Sequence, residues 1–541
     1  MPGKSQNFLR GALSLSIATA AVKIIGALYK IPIQNLLGEG GSSLYYVAYS
    51  IYTFLFVLAT AGLPVAISKM VSESRTAGRN DAERIFSVAF SLFLVIGTAG
   101  ALFMLLGAEW IAAWMNAEEA AWAIRAIAPS VFLIVFICPY RGYYQGHGNM
   151  IPTAVSQVLE ALGKLIFGVG LTAAVLYVII PAEIKDDIVI NQAERNAFGS
   201  AAAILGVSVG ILMSAAYLII SSRKLEFGKA KRRPGRRRRE ILREMVMVAV
   251  PITLSAAIIS VTNLIDSGLT RGLLVSGAGF TESVRDIYHG SYTWAATLYT
   301  LPTAFVLTIA VSLLPAIAAY RVQRDRQGVV RTTRSAIRVT ALLGMPASVG
   351  FFILPEPILN LLYNSKPEGV EIAAPLLKML GIAVIFVCIV TVTNAILQSL
   401  GMVFIPIFTM TVGAAAKIIC TYLLVGSPEF HINGAPIGTV ICFALIAVLN
   451  LIIVMRASGS GIALLSEMGK PLLAALAMGA IALGNYYFFS HFLGSRPGVV
   501  LAIAAGGLSY AVLLILIGGV PKRDLELLPG GVKLARILQI R

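Results

Sequence analysis

Charged residues are scarce in this chain: Asp, Glu, Lys and Arg together make up only 13% of its 541 residues. Soluble domains carry about 25% charged residues, so the composition excludes a water-soluble globular protein. Hydrophobic residues account for 57% of the chain, and the mean hydropathy is +0.83. Apolar stretches long enough to cross a hydrocarbon core of ~30 Å recur along the whole sequence. The sequence therefore predicts a polytopic integral membrane protein.

Cysteine and histidine are also rare, with four residues of each type. All four cysteines lie in apolar segments, so no disulfide framework is predicted. The histidines are expected near helix ends or in loops and lack metal-ligand spacing, so no metal or other cofactor is predicted. A Walker loop and a nucleophile–base arrangement are missing as well, which argues against an enzyme. The first apolar segment lacks a small-residue cleavage site and is interpreted as a retained helix, not a signal peptide.

Fourteen apolar segments are predicted to be membrane-spanning helices, because backbone polar groups in lipid must be hydrogen-bonded internally. The fold class is therefore an all-α polytopic membrane protein. The predicted spans are 11–36, 44–70, 85–108, 121–145, 152–179, 198–222, 244–273, 289–320, 332–355, 372–399, 403–426, 434–456, 469–490 and 498–519. Prolines within these segments predict kinks; they are Pro32, Pro64, Pro251, Pro302, Pro315 and Pro346.

The basic residues predict the orientation of the chain. With an even number of spans, both termini lie on one side, and the positive-inside rule places them in the cytoplasm. The predicted external loops then hold only Lys185, Arg195, Arg285, Lys366 and Arg496. The densest basic run, 229–239, lies between spans six and seven and is expected to contact anionic lipid headgroups. A regulatory or partner-binding loop is the alternative, and nucleic-acid binding is not predicted.

Two sequence patterns indicate an internal repeat. Leu-Pro steps at Pro64 and Pro315 each run into a basic loop. A glutamine is followed by a lysine at the same separation in both halves, as Gln145 with Lys164 and as Gln398 with Lys417. Parallel repeats of this kind build transporters with two lobes around a midplane site. The predicted organisation is an N-terminal lobe (1–222), a basic linker (223–243), a C-terminal lobe (244–456), and two further spans with a cytoplasmic tail (457–541).

Basic side chains inside the predicted spans are the main clue to function. A basic residue at the bilayer centre costs roughly 2.5–3.5 kcal/mol on insertion scales, so a chain with several is expected to enclose them in a wet cavity. Only two acids, Glu160 and Asp266, lie at comparable depth. The resulting surplus of positive charge suits an anion such as phosphate or pyrophosphate. The basic residues are Lys23, Lys30, Arg125, Lys164, Arg271, Lys378 and Lys417.

Depth within the spans separates these residues. Lys23, Lys164 and Lys417 lie near the middle of their segments and are the strongest cavity candidates, while Lys30 is intermediate. Residues near an external end are expected to snorkel towards the headgroups; these are Arg125, Arg271 and Lys378.

The two acids have different predicted partners. Glu160 precedes Lys164 by four residues, so the two can pair on one helix face. Asp266 has no basic residue one turn away on its own helix. It either neutralises Lys417 or serves as a site for a proton or a coupling ion.

The string from Arg141 to Pro152, Arg-Gly-Tyr-Tyr-Gln-Gly-His-Gly-Asn-Met-Ile-Pro, adds a family resemblance. Together with fourteen spans in two lobes, it resembles the polysaccharide-export branch of the MOP flippase superfamily. The similarity is greatest to the stage V sporulation protein B (SpoVB)/YtgP group, relatives of the MurJ lipid II flippases. Gly62-Leu63-Pro64 and Ser312-Leu-Leu-Pro315 fit the same pattern, and the resemblance covers essentially the whole chain.

The resemblance implies a MATE-like fold in the bacterial cell membrane and export of an undecaprenyl-pyrophosphate-linked saccharide to the outer leaflet by alternating access. Lipid II is the leading cargo, with a teichoic, capsular or spore-cortex precursor as the alternative. MurJ proteins carry a basic residue in span one that Lys23-Ile-Ile-Gly26 matches, with Lys in place of Arg. They also carry arginines in span two, whereas this chain has none between Leu44 and Ser68.

These arguments lead to a set of predicted functional residues. The substrate-binding residues are Lys23, Lys30, Glu160, Lys164, Arg271 and Lys417; Asp266 is a coupling or charge-pairing residue; Arg141 and Gln145 form a cytoplasmic-end motif; and Pro64 and Pro315 are helix kinks. Some relatives bind sodium through acids of the C-terminal lobe, but no bound metal is predicted here, and coupling to H⁺ or Na⁺ is left open. A drug–cation antiporter and an envelope-synthesis enzyme or scaffold are the rival functions, and a basic cavity disfavours the antiporter.

Overall fold

The structure is a computed structural model that describes residues 2–76, 81–180, 191–223, 236–307, 317, 320–321, 323–363, 367–461 and 463–519. These residues are almost all helical and include no strand, which confirms the all-α prediction. The α-helices are α1 (Pro2–Thr60), α2 (Leu63–Thr76), α3 (Ala82–Leu106), α4 (Ala108–Trp114), α5 (Ala121–Gly146), α6 (Ile151–Ala174), α7 (Gln192–Ser222), α8 (Arg238–Ser276), α9 (Glu282–Tyr299), α10 (Arg326–Ile353), α11 (Pro355–Leu362), α12 (Pro367–Ser399), α13 (Phe404–Val425), α14 (Gly434–Ser458), α15 (Ala463–Leu493) and α16 (Ser495–Leu516).

Within the described residues, 12 helices are long and apolar enough to cross a membrane. The first two predicted spans fall in one of these, Ile24–Ser74. The eighth predicted span, 289–320, lies partly outside the described residues. The merging of two predicted spans into one and the incomplete description of the eighth explain why twelve candidate spans are found where fourteen were predicted. The count of fourteen stays a prediction.

The first helices are interrupted at two points. α1 consists of two helices that meet at a kink, where Gly38 has a non-helical φ of 66° and ψ of −167°. The chain bends again before Leu63, and Pro64 is the second residue of α2. Proline is well suited to the first turn of a helix, where its missing N–H leaves no bond unmade. Pro64 therefore stands in the first turn of α2, directly after the bend at residues 61–62, and Pro315 lies outside the described residues.

The chain divides into two compact units, Met1–Gly290 and Ser291–Arg541. This division by packing falls later than the linker predicted at 223–243, because α8 packs against α1, α2 and α3 of the first unit. The lobe boundaries drawn from the sequence repeat stay a prediction.

Each unit repeats one packing pattern. In unit 1, α5 packs against α3 and α7, and α7 packs against α6. In unit 2, α12 packs against α10 and α14, and α14 packs against α13. Gln145 on α5 and Lys164 on α6 therefore correspond to Gln398 on α12 and Lys417 on α13. The packing supports the duplication that these pairs suggested.

Two glycine pairs bring α6 and α7 into backbone contact. A β-carbon added at Gly163 would lie 2.6 Å from the Cα of Gly210. At the next level, one added at Gly206 would overlap the backbone of Gly168. Small residues are typical where membrane helices approach this closely. The contact holds α6, which carries Glu160 and Lys164, directly against α7.

Candidate anion-binding site

The charged residues of α6 form a buried cluster with one arginine of α5. Glu160 Oε1 accepts a hydrogen bond from Lys164 Nζ at 2.7 Å, and Glu160 Oε2 accepts one from Arg141 Nη2 at 3.0 Å. The i, i+4 pair predicted from the sequence is confirmed. Arg141 was predicted at the cytoplasmic end of its helix, and its burial beside Glu160 was missed. We call Arg141, Glu160 and Lys164 the charge cluster; in it, two cations share one carboxylate.

Arg141, on α5, is held by side chains from two other helices, α6 and α7. Besides Glu160, its Nε donates to Ser156 Oγ at 2.9 Å and its Nη2 to Ser214 Oγ at 3.1 Å. Ser156 lies on α6 and Ser214 on α7, and neither is exposed. A guanidinium with these neighbours joins α5, α6 and α7 and fixes the position of Glu160. Arg141 is therefore suited to positioning more than to binding a ligand.

Lys164 borders a row of aromatic side chains on α1. Consecutive ring centroids of Tyr45, Tyr49 and Tyr52 lie 5.5 and 5.8 Å apart. Lys164 Nζ is 5.9 Å from the Tyr52 centroid, and Lys30 Nζ is 5.6 Å from the Tyr49 centroid. Both are at cation–π distance. The aromatic row thus brings together two lysines that the sequence predicted separately.

The local charge balance is positive. Arg141 and Lys164 bring two positive charges to the single carboxylate of Glu160, and Lys30 lies along the same aromatic row. The Lys164 side chain keeps 17% of its surface exposed, against 10% for Arg141, and Lys30 is half-buried. The two lysines are therefore the more accessible members. Lysine ammonium groups that retain access to solvent are suited to a phosphate-type anion.

Arg271 is fully buried in a different setting, so the prediction that it snorkels is wrong. Its Nη1 lies 2.5 Å from Asp286 Oδ1, and its Nε and Nη2 donate to the Asn116 carbonyl at 3.0 and 2.7 Å. Arg271 also bonds to Ser43, and Arg285 Nε donates to Asp286 at 3.1 Å. Partners from α1, from the loop after α4 and from α9 bond the guanidinium, so Arg271 does not need to reach the headgroups.

His289 lies inside α9, in contrast to the expected positions near helix ends or in loops. Its Nδ1 is 2.9 Å from Ser43 Oγ, and its Nε2 is 3.3 Å from Ser267 Oγ. Both contacts use ring nitrogens for hydrogen bonds to hydroxyl groups. Among the described residues, no group of three or more His, Cys, Asp or Glu is placed to hold a metal ion.

The remaining predicted residues are placed as follows. Asp266 on α8 and Lys417 on α13 are each 4% exposed; they belong to units 1 and 2 respectively, and their pairing stays a prediction. Gln145 lies in the last turn of α5, where its carbonyl accepts from Gly148 N at 2.9 Å. The side chain of Lys23 lies outside the described part of the chain.

Two of the residues expected to snorkel differ from Arg271. Lys378 is exposed, with its Nζ 5.2 Å from the Phe352 ring centroid. Arg125 Nη2 lies 2.5 Å from Glu109, whose side chain is 79% exposed. Both side chains therefore reach the exterior of the helix bundle.

The basic run between α7 and α8 is described only from Arg236 onwards. The Arg236 N and Nε both donate to Asp81 at 3.2 Å, and Arg84 Nη1 donates to the Arg236 carbonyl at 2.8 Å. Arg236 thus ties the end of this run to the start of α3, while the following arginines are exposed.

Unit 2 places neutral groups where unit 1 has charges. Asn450 on α14 donates to Asn394 Oδ1 at 2.9 Å and to Thr393 Oγ1 at 3.1 Å. Its own Oδ1 accepts from Thr409 Oγ1 at 2.8 Å. Asn394 and Thr409 occupy the repeat positions of Arg141 and Ser156. These residues, the amide cluster, link α12, α13 and α14 by neutral hydrogen bonds.

An all-helical, multi-pass chain with a duplicated packing unit and buried basic groups has the architecture of a MOP-type membrane transporter. The fold is similar to that of a lipid II flippase MurJ in an inward closed conformation, with a TM-score of 0.70 and 14% identity over 94% of this chain and 99% of that one. It is also similar to an inward-facing multidrug resistance MATE transporter of the MOP superfamily, with a TM-score of 0.65 and 16% identity over 82% and 98% of the two chains.

The chain belongs to the Lipid II flippase MurJ family, whose sequence model matches residues 33–505. Three proteins of Bacillus subtilis (strain 168) are similar over nearly the full length. They are the uncharacterized membrane protein YabM, with 26% identity over 98% of this chain and 97% of that protein; stage V sporulation protein B, with 24% over 97% and 98%; and lipid II flippase MurJ, with 24% over 97% and 98%. The predicted family is confirmed, and the chain is a transporter of the lipid-linked-precursor flippase type.

Proposed function

We propose that this protein moves an undecaprenyl-pyrophosphate-linked cell-envelope saccharide, with lipid II as the favoured cargo, from the inner to the outer leaflet by alternating access. The observation that carries the proposal is the net positive surroundings of Glu160, where two lysines beside an aromatic row remain accessible. Family membership supports a lipid-linked precursor, and the charge favours one that contains a pyrophosphate.

In this mechanism the two lysines hold the anionic headgroup. Lys30 and Lys164 donate to diphosphate oxygens, and Lys23 and Lys417 are proposed to add further charge. Glu160 binds Lys164 in the absence of substrate and is held in turn by Arg141. Because the carboxylate competes with the diphosphate for Lys164, it limits the affinity and allows release on the other side. The lipid tail stays in the bilayer throughout.

The orientation and the energy source belong to the same proposal. Both termini and the basic run 229–239 lie on the cytoplasmic side, in line with the distribution of Lys and Arg. Asp266 serves as the site for a coupling proton or sodium ion, since it is a buried acid on α8 within unit 1. A membrane-embedded acid is a functional-site candidate because burying it is costly.

The test is headgroup translocation by the purified full-length protein in proteoliposomes. Lys164→Ala removes one charge-assisted hydrogen bond of about 1.5–3 kcal/mol, so we expect transport to fall roughly 10–100-fold. Glu160 keeps Arg141 as its partner in this variant, so folding is expected to survive. Lys164→Arg is expected to keep part of the activity.

Lys69→Ala is the matched control, because Lys69 forms an i, i+4 pair with Glu73 but its side chain is 53% exposed. Wild-type rates from Lys164→Ala, at equal protein reconstitution, would contradict the proposed site. The cargo is tested separately by supplying lipid II, a teichoic precursor and a lipid-linked oligosaccharide in parallel. Transport of a different precursor but not lipid II would replace the favoured cargo and leave the site intact.

A further inference from the structure

Unit 2 contains a pocket of about 330 Å³ that the transport mechanism does not use. It lies where the turn before α10 meets the turn between α12 and α13 and the end of α14. Three arginines, Arg321, Arg324 and Arg326, line it together with Asp325, and Leu400 and Met402 form the opposite wall. On the predicted orientation, this end of unit 2 faces the cytoplasm.

The turn before α10 aligns the arginines by backbone geometry. Arg324 has a φ of 57°, a left-handed conformation that costs a non-glycine residue about 1–2 kcal/mol. Two backbone bonds close the turn, from Arg324 N to the Arg321 carbonyl at 3.1 Å and from Asp325 N to the Tyr320 carbonyl at 2.9 Å. The turn therefore places three guanidinium-bearing residues within six positions around one pocket.

The acid in the pocket has a structural task. Asp325 Oδ1 accepts from Gly328 N at 2.8 Å and caps the first turn of α10. Its other oxygen lies 3.9 Å from Arg331. With Asp325 counted in full, the three arginines still leave the pocket with a surplus of two positive charges. An anion is the complementary ligand.

Two glycines give the guanidinium groups space against bare backbone. A β-carbon added at Gly401, where φ is 75°, would overlap the guanidinium of Arg321. One added at Gly459 would lie 3.1 Å from Arg326 Nη2. At Gly148, the repeat counterpart of Gly401, nothing lies within 4 Å. Among the described side chains, an arginine therefore packs against this turn in unit 2 only.

We infer that this pocket binds a phosphate group, supplied either by an anionic lipid headgroup or by free phosphate. Arginine forks match phosphate oxygens in pairs, and the apolar wall of Leu400 and Met402 suits the glycerol end of a lipid. The inference does not depend on the proposed transport function, because its residues are separate from the charge cluster.

The test uses full-length protein in lipid-depleted detergent and measures binding by calorimetry. The probes are dihexanoyl phosphatidylglycerol, dihexanoyl phosphatidylcholine and inorganic phosphate. The wild type is expected to bind phosphatidylglycerol or inorganic phosphate, and the triple variant Arg321→Gln/Arg324→Gln/Arg326→Gln is expected to lose about tenfold or more in affinity. Lys69→Gln is the control, since its side chain is 53% exposed and lies outside the pocket lining.

The probes also separate the two sources. Binding of phosphatidylglycerol above phosphatidylcholine assigns a lipid headgroup, and binding of inorganic phosphate alone assigns free phosphate. Equal affinity of the triple variant and the wild type, or no binding of any probe by the wild type, would overturn the inference. If the triple variant does not fold, the exposed residue Arg324 is tested alone as Arg324→Gln. Its affinity for the bound probe is expected to fall about threefold or more, and an affinity equal to that of the wild type would overturn the inference.

Discussion

The charge cluster of unit 1 and the amide cluster of unit 2 occupy equivalent positions and differ in chemistry. In both, hydrogen bonds join the helix that precedes the repeat lysine to the two helices that follow it. In unit 1 the group on the preceding helix is Arg141, paired with the carboxylate of Glu160; in unit 2 it is Asn394, paired with the amide of Asn450. Position 160 corresponds to Gly413, so unit 2 has no acid at that place. The helix packing is common to both copies, while the hydrogen-bonded groups described here are charged in unit 1 and neutral in unit 2.

This comparison explains why one cluster is suited to binding and the other to packing. Neutral amides and hydroxyls that satisfy each other need no water and no counter-ion. Burying a carboxylate between two cations costs desolvation free energy. Another anion that reaches the two cations can take the place of the carboxylate. In the proposed function, this asymmetry places the candidate substrate site in unit 1, beside the aromatic row of α1.

The largest expected effect comes from removing the acid of the charge cluster. Glu160→Ala leaves Arg141 and Lys164 without their carboxylate and should destabilise the protein by about 3–5 kcal/mol. Thermal unfolding in detergent, with membrane abundance, measures the effect. Glu73→Ala removes the acid of an exposed i, i+4 pair and should cost below about 1 kcal/mol. Equal midpoints for the two variants would remove the distinction between buried and exposed pairs.

A smaller effect is expected at the centre of the amide cluster. Asn450→Leu leaves Asn394 and Thr409 without their partner, and an unsatisfied buried group costs about 1–3 kcal/mol. The same unfolding assay compares it with Asn485→Leu, whose side chain makes an exposed bond to its own helix. If Asn450→Leu proved more damaging than Glu160→Ala, the ranking of charged over neutral clusters would be wrong.

The smallest expected effects come from alanine substitutions at two equivalent glycines, Gly148 in unit 1 and Gly401 in unit 2. Gly148→Ala and Gly401→Ala both place a β-carbon on a backbone with positive φ, which costs about 1–2 kcal/mol. Only at Gly401 does the added carbon also meet an arginine, Arg321. We expect similar losses of thermal stability, with the loss at Gly401 the larger, and weaker phosphate binding for Gly401→Ala alone. Identical phosphate affinity in both variants would argue that Arg321 does not contribute to the pocket.

Contacts between residues close together on one helix could be predicted from the sequence. The Glu160–Lys164 pair follows from helix periodicity, and the packing repeat follows from Gln145, Lys164 and their counterparts. Arg141 was predicted as part of a cytoplasmic-end motif, and its burial beside Glu160 was missed because it stands near the end of an apolar segment in a string rich in polar residues. A signal for this cluster was available in the sequence repeat. The offset that relates Arg141 to Asn394 also relates Ser156 to Thr409, so both copies carry a polar pair at these positions.

Long-range pairing could not be read from the sequence. Arg271 looked able to snorkel because its depth was known and its partners were not. Asp286 and Asn116 approach it only after α8, α9 and the loop following α4 have packed together. The depth of a residue along its helix does not determine which other helices pack around it. Whether a charged side chain is buried depends on those neighbouring helices.

The backbone contact of α6 with α7 has a mechanical consequence. Sliding one helix along the other by a single residue, a shift of about 1.5 Å, would carry larger side chains into gaps that only glycine fits. Arg141 adds a third helix to this pair through Ser214. The three helices therefore move as one rigid body, and Lys164 keeps its depth within that body. In the proposed transport cycle, reorientation has to be taken up at joints outside these three helices, such as the non-helical Gly38 and the bend before α2.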